Sequence, residues 1–117
     1  MPHAAPNPQM TRCIDDCLEC ARTCLETARH CLEMGGEHAA AAHITALLDC
    51  AEVCQTSANL MSRGSDLHGT VCAACAEACI RCAEACERFP DDDVMRRCAE
   101  ICRRCAESCR QMAGVAS

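Results

Sequence analysis

The chain has no tryptophan, no tyrosine and no lysine, and Phe89 is the single aromatic residue among its 117. Without aromatic platforms it cannot stack nucleic-acid bases. Its net charge of −6 supplies no basic patch for a phosphate backbone, and the acidic balance reads instead as a solubility device. Nucleic acid is therefore not an expected partner. No apolar run approaches the roughly 18 residues of a membrane span, so a membrane is not expected either. Met1-Pro2-His3-Ala4-Ala5-Pro6-Asn7-Pro8 shows no basic region, no apolar stretch and no twin arginine. The sequence thus predicts a cytoplasmic protein whose thiols stay reduced. Ordinary core residues are also scarce, with Ile, Leu, Val and Phe numbering 16 together.

Cysteine is what the chain has instead, also 16 in all, far above the usual share. Either the cysteines fill the core, or something bound to them does. The length suits one domain. A proline-rich stretch, 1–9, reads as a flexible arm, and 10–114 as one helical domain. Gly35-Gly36, Gly64-Ser65 and Phe89-Pro90-Asp91 break it into four helices, expected near 9–33, 37–63, 66–88 and 92–112. Ser65 or Asp66 is the expected N-cap of the third helix, Asp91 that of the fourth, and Gly114 stops the last.

The cysteines follow a helical register. Cys13, Cys17, Cys20, Cys24 and Cys31 lie on the first helix, and Cys50 and Cys54 on the second. Cys72, Cys75, Cys79, Cys82 and Cys86 lie on the third, and Cys98, Cys102, Cys105 and Cys109 on the fourth. Steps of three and four are the a/d seam that faces the axis of a bundle. With short connections the expected fold is all-α, an antiparallel up-down-up-down four-helix bundle with a Cys-lined core. The second helix is poorer, with Leu47 and Ser57 at seam positions that could have held ligands. A second stripe on the first helix, Ile14, Leu18, Ala21, Leu25, Ala28 and Leu32, would pack neighbouring helices or make a subunit contact.

Seven Cys-x-x-x-Cys pairs account for all cysteines but Cys31 and Cys72. Residues four apart on a helix hold their Cβ atoms about 5–6 Å apart, too far for a disulfide, which wants about 3.8 Å. Cysteine as a small core hydrophobe explains one or two positions, not this many in register. Metal explains the set, because two thiolates one turn apart flank a soft ion. Cu(I), Zn(II) and Fe–S clusters are the soft-ligand candidates. Sixteen buried thiolates would be neutralised by one Cu(I) each, whereas four ZnS₄ centres would leave about −8 inside. Ferredoxin-type spacing is absent. Candidate ligands run along roughly 27 Å of the first helix, which suits a store of many Cu(I) ions and not an enzyme with an open catalytic position. A zinc- or cadmium-sequestering, metallothionein-like protein is the alternative, and an Fe–S redox protein a more distant one.

The repeated pairs, with Arg29-His30-Cys31-Leu32-Glu33-Met34 and the runs from Val71 to Cys75 and from Cys86 to Pro90, resemble the bacterial copper storage proteins. The resemblance spans about residues 10–112. It implies a Cys-rich four-helix bundle that binds many Cu(I) ions through core cysteines. It further implies a homotetramer of bundles and, lacking an export signal, the cytosolic branch.

In the expected bundle one end gathers Cys31, Met34, His38, His43, Cys86 and Met95. The other gathers Met10, Cys13, Met61, His68, Cys109 and Met112. His30, Met34, His43, His68 and Met95 are candidate end ligands, because His and Met hold Cu(I) more loosely than two thiolates would. Each has a plainer reading, Met as core filler and His30 and His38 as surface residues. The resemblance implies that the first end, through His30 and Met34, is the mouth.

Overall fold

Asn7 accepts a hydrogen bond from the Met10 amide at 2.8 Å, and Pro8 follows it as the first helical residue, a strong start signal. The computed structural model describes residues 7–114, so most of the expected arm lies outside the described residues. The helices are α1 (Pro8–Met34), α2 (Ala41–Ser62), α3 (His68–Glu87) and α4 (Asp93–Ala113). No strand occurs among the described residues.

The breaks differ in detail from the sequence expectation. Gly35 and Gly36 take φ of 70° and 57°, the left-handed region that glycine enters without steric cost. A 3₁₀ turn, Gly36–Ala39, follows, and Ala40 is extended, so α2 begins at Ala41 and not near 37. Neither Ser65 nor Asp66 is the N-cap of α3, which starts after Leu67 without a side-chain cap. The Ser65 hydroxyl instead accepts from the Leu67 amide, a local turn that competes with capping. At α4 the cap is Asp92 rather than Asp91, its Oδ1 accepting from the Val94 and Met95 amides at 2.9 and 3.2 Å.

Each helix packs against its two ring neighbours, α1 on α2 and α4, and α3 on α2 and α4. Side-chain contacts give the directions. Cys31 meets His43 and Cys20 meets Cys50, so α1 and α2 run antiparallel. Cys50 meets Cys79 and Met61 meets Cys72 across α2 and α3. Cys13 meets Cys109 and Cys31 meets Met95 across α1 and α4. The rod measures 53 × 18 × 17 Å.

Its narrowness comes from small residues. Ala21, Ala51, Ala58, Ala76, Ala83, Ala99 and Ala106 are buried, each one position past a seam Cys or Ser. They bring the helices close, so the cysteine side chains meet at the axis. Buried aliphatics are few, namely Leu47, Leu60 and Ile101. Of the second stripe on α1, Ala21 and Ala28 are buried, while Leu18, Leu25 and Leu32 stay 43–59 % exposed.

Asp92 as the α4 cap has a measurable consequence. Asp92→Ala should destabilise the reduced, metal-free protein by about 1–2 kcal/mol, the worth of a strong N-cap, whereas Asp91→Ala should change little. Urea unfolding followed by circular dichroism separates them, and equal losses would place the cap elsewhere.

Candidate metal centre

All sixteen cysteines are free and fully buried. They line the axis as a continuous column of sulfur. Within single helices, Cys20 and Cys24, Cys98 and Cys102, and Cys105 and Cys109 stand 4.0 Å apart, Sγ to Sγ, and Cys50 and Cys54 3.9 Å. Across helices the sulfurs are closer, 3.5 Å for Cys17 with Cys109 and for Cys54 with Cys75. Such contacts are van der Waals neighbours and weak S–H···S bonds, not disulfides, whose S–S length is about 2.05 Å.

The column divides into overlapping groups of four thiols. Cys24, Cys82, Cys98 and Cys102 form one group near the His43 end. Cys20, Cys50, Cys54 and Cys79 sit mid-rod, and Cys17, Cys75, Cys105 and Cys109 lie further along. Within each group every sulfur lies within 4.8 Å of the others. A trigonal ion with metal–sulfur bonds of about 2.3 Å, the zinc value, needs sulfurs about 4 Å apart. The column offers that spacing almost everywhere. Tetrahedral zinc would need a similar separation, so charge decides between them. Shared sulfurs link one group to the next, which suits monovalent ions that neutralise thiolates one for one.

The metal-free thiols are shifted in both directions: hydrogen bonds from neighbouring thiols pull Cys20, Cys50 and Cys98 down, while Cys31 and Cys86 are pushed up. Burial pushes the Cys31 thiol up to about 11, and the nearby Asp92 charge adds to the shift. Hydrogen bonding to Cys82 and Cys98 raises Cys86, with burial adding to it. At Cys31 and Cys86 metal must therefore displace protons.

The ends differ from the middle. At one end Cys31 Sγ lies 3.4 Å from His43 Nε2 and 3.5 Å from Met95 Sδ, a thiol, an imidazole and a thioether facing one point. Burial lowers the His43 pKa, with Arg88 adding, so the imidazole stays neutral and able to ligate. Met95 is fully buried. At the opposite end Met61 Sδ lies 3.9 Å from Cys72 Sγ. His68 Nδ1 donates to the Ser65 carbonyl at 2.9 Å, while its buried Nε2 has no partner. Two expected end ligands stand outside the column. Met34 is 56 % exposed on the rim. His30 turns from the axis and donates to Asp92 Oδ2 at 2.8 Å.

On α2, Leu47 and Ser57 are fully buried in the seam, so this wall carries fewer sulfurs. Thr27, also buried, fills the gap in the register between Cys24 and Cys31. Sequence reasoning missed the aromatic cover of the first end. The Phe89 ring lies 4.2 Å from that of His38 and 5.3 Å from that of His43. The only signal was that Phe89 is the lone aromatic residue. It missed Asp92 as well, whose place in the run Asp91-Asp92-Asp93 concealed which carboxylate turns inward.

A family model described as copper storage protein matches residues 6–114. Among curated proteins no match is found. Among solved structures, a Nitrosospira multiformis protein is 49 % identical, covering 90 % of this chain and 94 % of its own, with a TM-score of 0.85. The Cu(I)-bound copper storage protein 3 of Bacillus subtilis is 32 % identical, covering 91 % and 99 %, with a TM-score of 0.84. A cytosolic copper storage protein from Streptomyces lividans, with five coppers, is 32 % identical, covering 93 % and 95 %, with a TM-score of 0.79.

A neutral buried thiol ties the stability of the metal-free protein to pH. Because the folded pKa of Cys31 lies above its ordinary 9.0, its contribution is complete below about pH 9 and is lost as pH rises towards about 11. Thermal unfolding of reduced protein should show a falling midpoint across that window, less steep in Cys31→Ser. An unchanged slope in the variant would mean that Cys31 is not the group.

Proposed function

Since the chain belongs to the copper storage protein family, we propose that its own sixteen cysteines are the ligands of the store and that residues 10–114 form one metal-binding domain. The protein binds and stores many Cu(I) ions in the core of its four-helix bundle. The observation that carries this reading is the unbroken column of buried sulfurs, spaced for two- and three-coordinate soft ions.

Loading follows from the chemistry of the column. Each Cu(I) replaces a thiol proton where one is held, and one Cu(I) per thiolate leaves the filled core neutral. Cu(I) enters where Cys31, His43 and Met95 converge, the end with mixed donors. Weaker imidazole and thioether ligands accept an ion and hand it on to thiolates deeper in. His68 and Met61 terminate the opposite end. Met34 stands at the rim, outside the column. The Cu(I)-bound relatives favour copper over zinc, cadmium or Fe–S. No group in the column is set apart as an acid, a base or an open catalytic position, so the protein stores and does not catalyse.

Localisation and assembly extend the same reading. The Streptomyces relative is cytosolic, and we place this chain in the cytosol too. No helix of the described residues is long and apolar enough to cross a membrane. Leu18, Leu25 and Leu32 repeat every seven residues along α1 and are exposed. Leu25 also joins Leu48, Ala21 and Ala51 around a hollow of about 430 Å³ between α1 and α2. Further copies of the chain cover this face, as the homotetramer implied by the family resemblance requires.

Two measurements test these statements. Anaerobic Cu(I) titration of the reduced protein, read by native mass spectrometry, should give about one ion per cysteine with a large rise in melting temperature. Cys50→Ser/Cys54→Ser should hold about two fewer. Saturation at a few ions, or displacement by Zn(II), would refute the store. Leu25→Glu/Leu48→Glu should load normally but sediment as a smaller species than the unaltered protein; identical sedimentation would remove this face from the assembly.

A further inference from the structure

Outside the sulfur column, three side chains from three elements meet at one oxygen. His30 comes from α1, His38 from the 3₁₀ turn and Asp92 from the start of α4. His30 Nε2 and His38 Nε2 lie 2.8 and 3.0 Å from the same Asp92 Oδ2. From this geometry we propose that His30, His38 and Asp92 form a second metal site at the mouth of the column, for one divalent cation of the Zn(II) class.

The donors fit that class and not the cargo. Two imidazoles and a carboxylate are borderline-to-hard ligands that suit Zn(II), whereas Cu(I) selects sulfur. Bonds of about 2.0–2.2 Å to nitrogen and oxygen separate tetrahedral ligands by about 3.3 Å. The two contacts seen here need to open by only about 0.3–0.5 Å to admit an ion. Each imidazole then carries its proton on Nδ1, and the fourth position is left to water.

Asp92 divides its two oxygens between two tasks. Oδ1 accepts from the Val94 and Met95 amides and caps α4, while Oδ2 faces the imidazoles. An ion on Oδ2 therefore leaves the cap in place. Burial alone would raise the Asp92 carboxyl, but hydrogen bonds from His30, the Met95 amide and His38 outweigh it and hold it down at about 2. The carboxylate is thus charged and ready for a cation. The three side chains are 15–27 % exposed. His38 and Asp92 line an open hollow of about 430 Å³, where Asp91 and Asp92 outnumber the one cation, Arg88. His38 stacks on Phe89, and Phe89 on His43, the partner of Cys31. An ion here would sit two ring contacts from the first Cu(I) ligand.

The site rests on its own geometry, and the copper load serves only to occupy the thiolates during the test. Protein loaded with Cu(I), its copper content measured separately, is titrated with Co(II) as a spectroscopic substitute for Zn(II). One Co(II) per chain should bind, with the weak visible bands of nitrogen and oxygen ligation and no sulfur-to-metal charge transfer, and Zn(II) should displace it. His30→Gln/His38→Gln and Asp92→Asn should each weaken binding at least about tenfold. Asparagine still caps α4, so the second variant keeps the fold, and both should hold the full copper load. Absence of stoichiometric Co(II), a sulfur charge-transfer band, or equal affinity in both variants would overturn the proposal and leave the three residues a hydrogen-bonded latch. A shortfall of copper alone would count against the storage reading instead.

Discussion

Everything in this bundle depends on the electrical state of buried sulfur. Protonated thiols can share a narrow, dry core, but sixteen thiolates can share it only if cations enter one for one. The helices, their small alanines and their short connections all serve that exchange. A core of leucine would be wider and more stable without metal, but it would offer nothing to bind. Here the apolar contribution is kept small, with Leu47, Leu60 and Ile101 the only buried branched aliphatics among the described residues. Cohesion of the filled protein then comes from metal–sulfur bonds that tie neighbouring helices together.

The same constraint explains the alanines. A sulfur column requires facing helices close enough that Sγ atoms from different helices approach to 3.5–3.8 Å. Cysteine is short, so the backbones must come near, and alanine one position past the seam permits it. Bulk is pushed outward instead. The leucines of α1 that would ordinarily fill an interior are left on the surface as Leu18, Leu25 and Leu32. A core chosen for metal in this way creates an apolar exterior.

Much of this was legible in the sequence because the register of cysteine is so strict. Steps of three and four fix which face turns inward, and glycines fix where the helices end, so the helix count and the inward cysteines follow from the spacing alone. The helix starts were less legible. Asp91, Asp92 and Asp93 are equivalent as letters; only the path of the chain after Phe89 makes Asp92 the cap and turns its other oxygen to two histidines. Ser65 was misread for a similar reason, since a short polar side chain can serve either a turn or a helix. The family resemblance points to His30 and Met34 at the mouth; a step of one residue turns the helix by about 100° between His30 and Cys31, and Met34 is the last residue of α1. Cys31 faces the axis, His30 faces Asp92, and Met34 faces solvent.

The two ends of the rod show how softness is graded along it. The interior offers chiefly sulfur, the soft donor that Cu(I) selects. A store sealed by thiolates at both ends would fill slowly and empty slowly. In the loading proposed above, the His43 imidazole and the Met95 thioether stand beside Cys31 where further thiolates could have stood, and they would hold an ion more loosely than thiolates do. Phe89 and His38 cover that position without supplying a ligand to it, so water is kept from Cys31 while the path stays short. Beyond them His30, His38 and Asp92 offer nitrogen and oxygen, beside the exposed Met34 thioether. Apart from Met34, the available donors run from hard to soft from rim to axis. With the ligands proposed above, that order favours a soft ion at the axis and a harder ion outside.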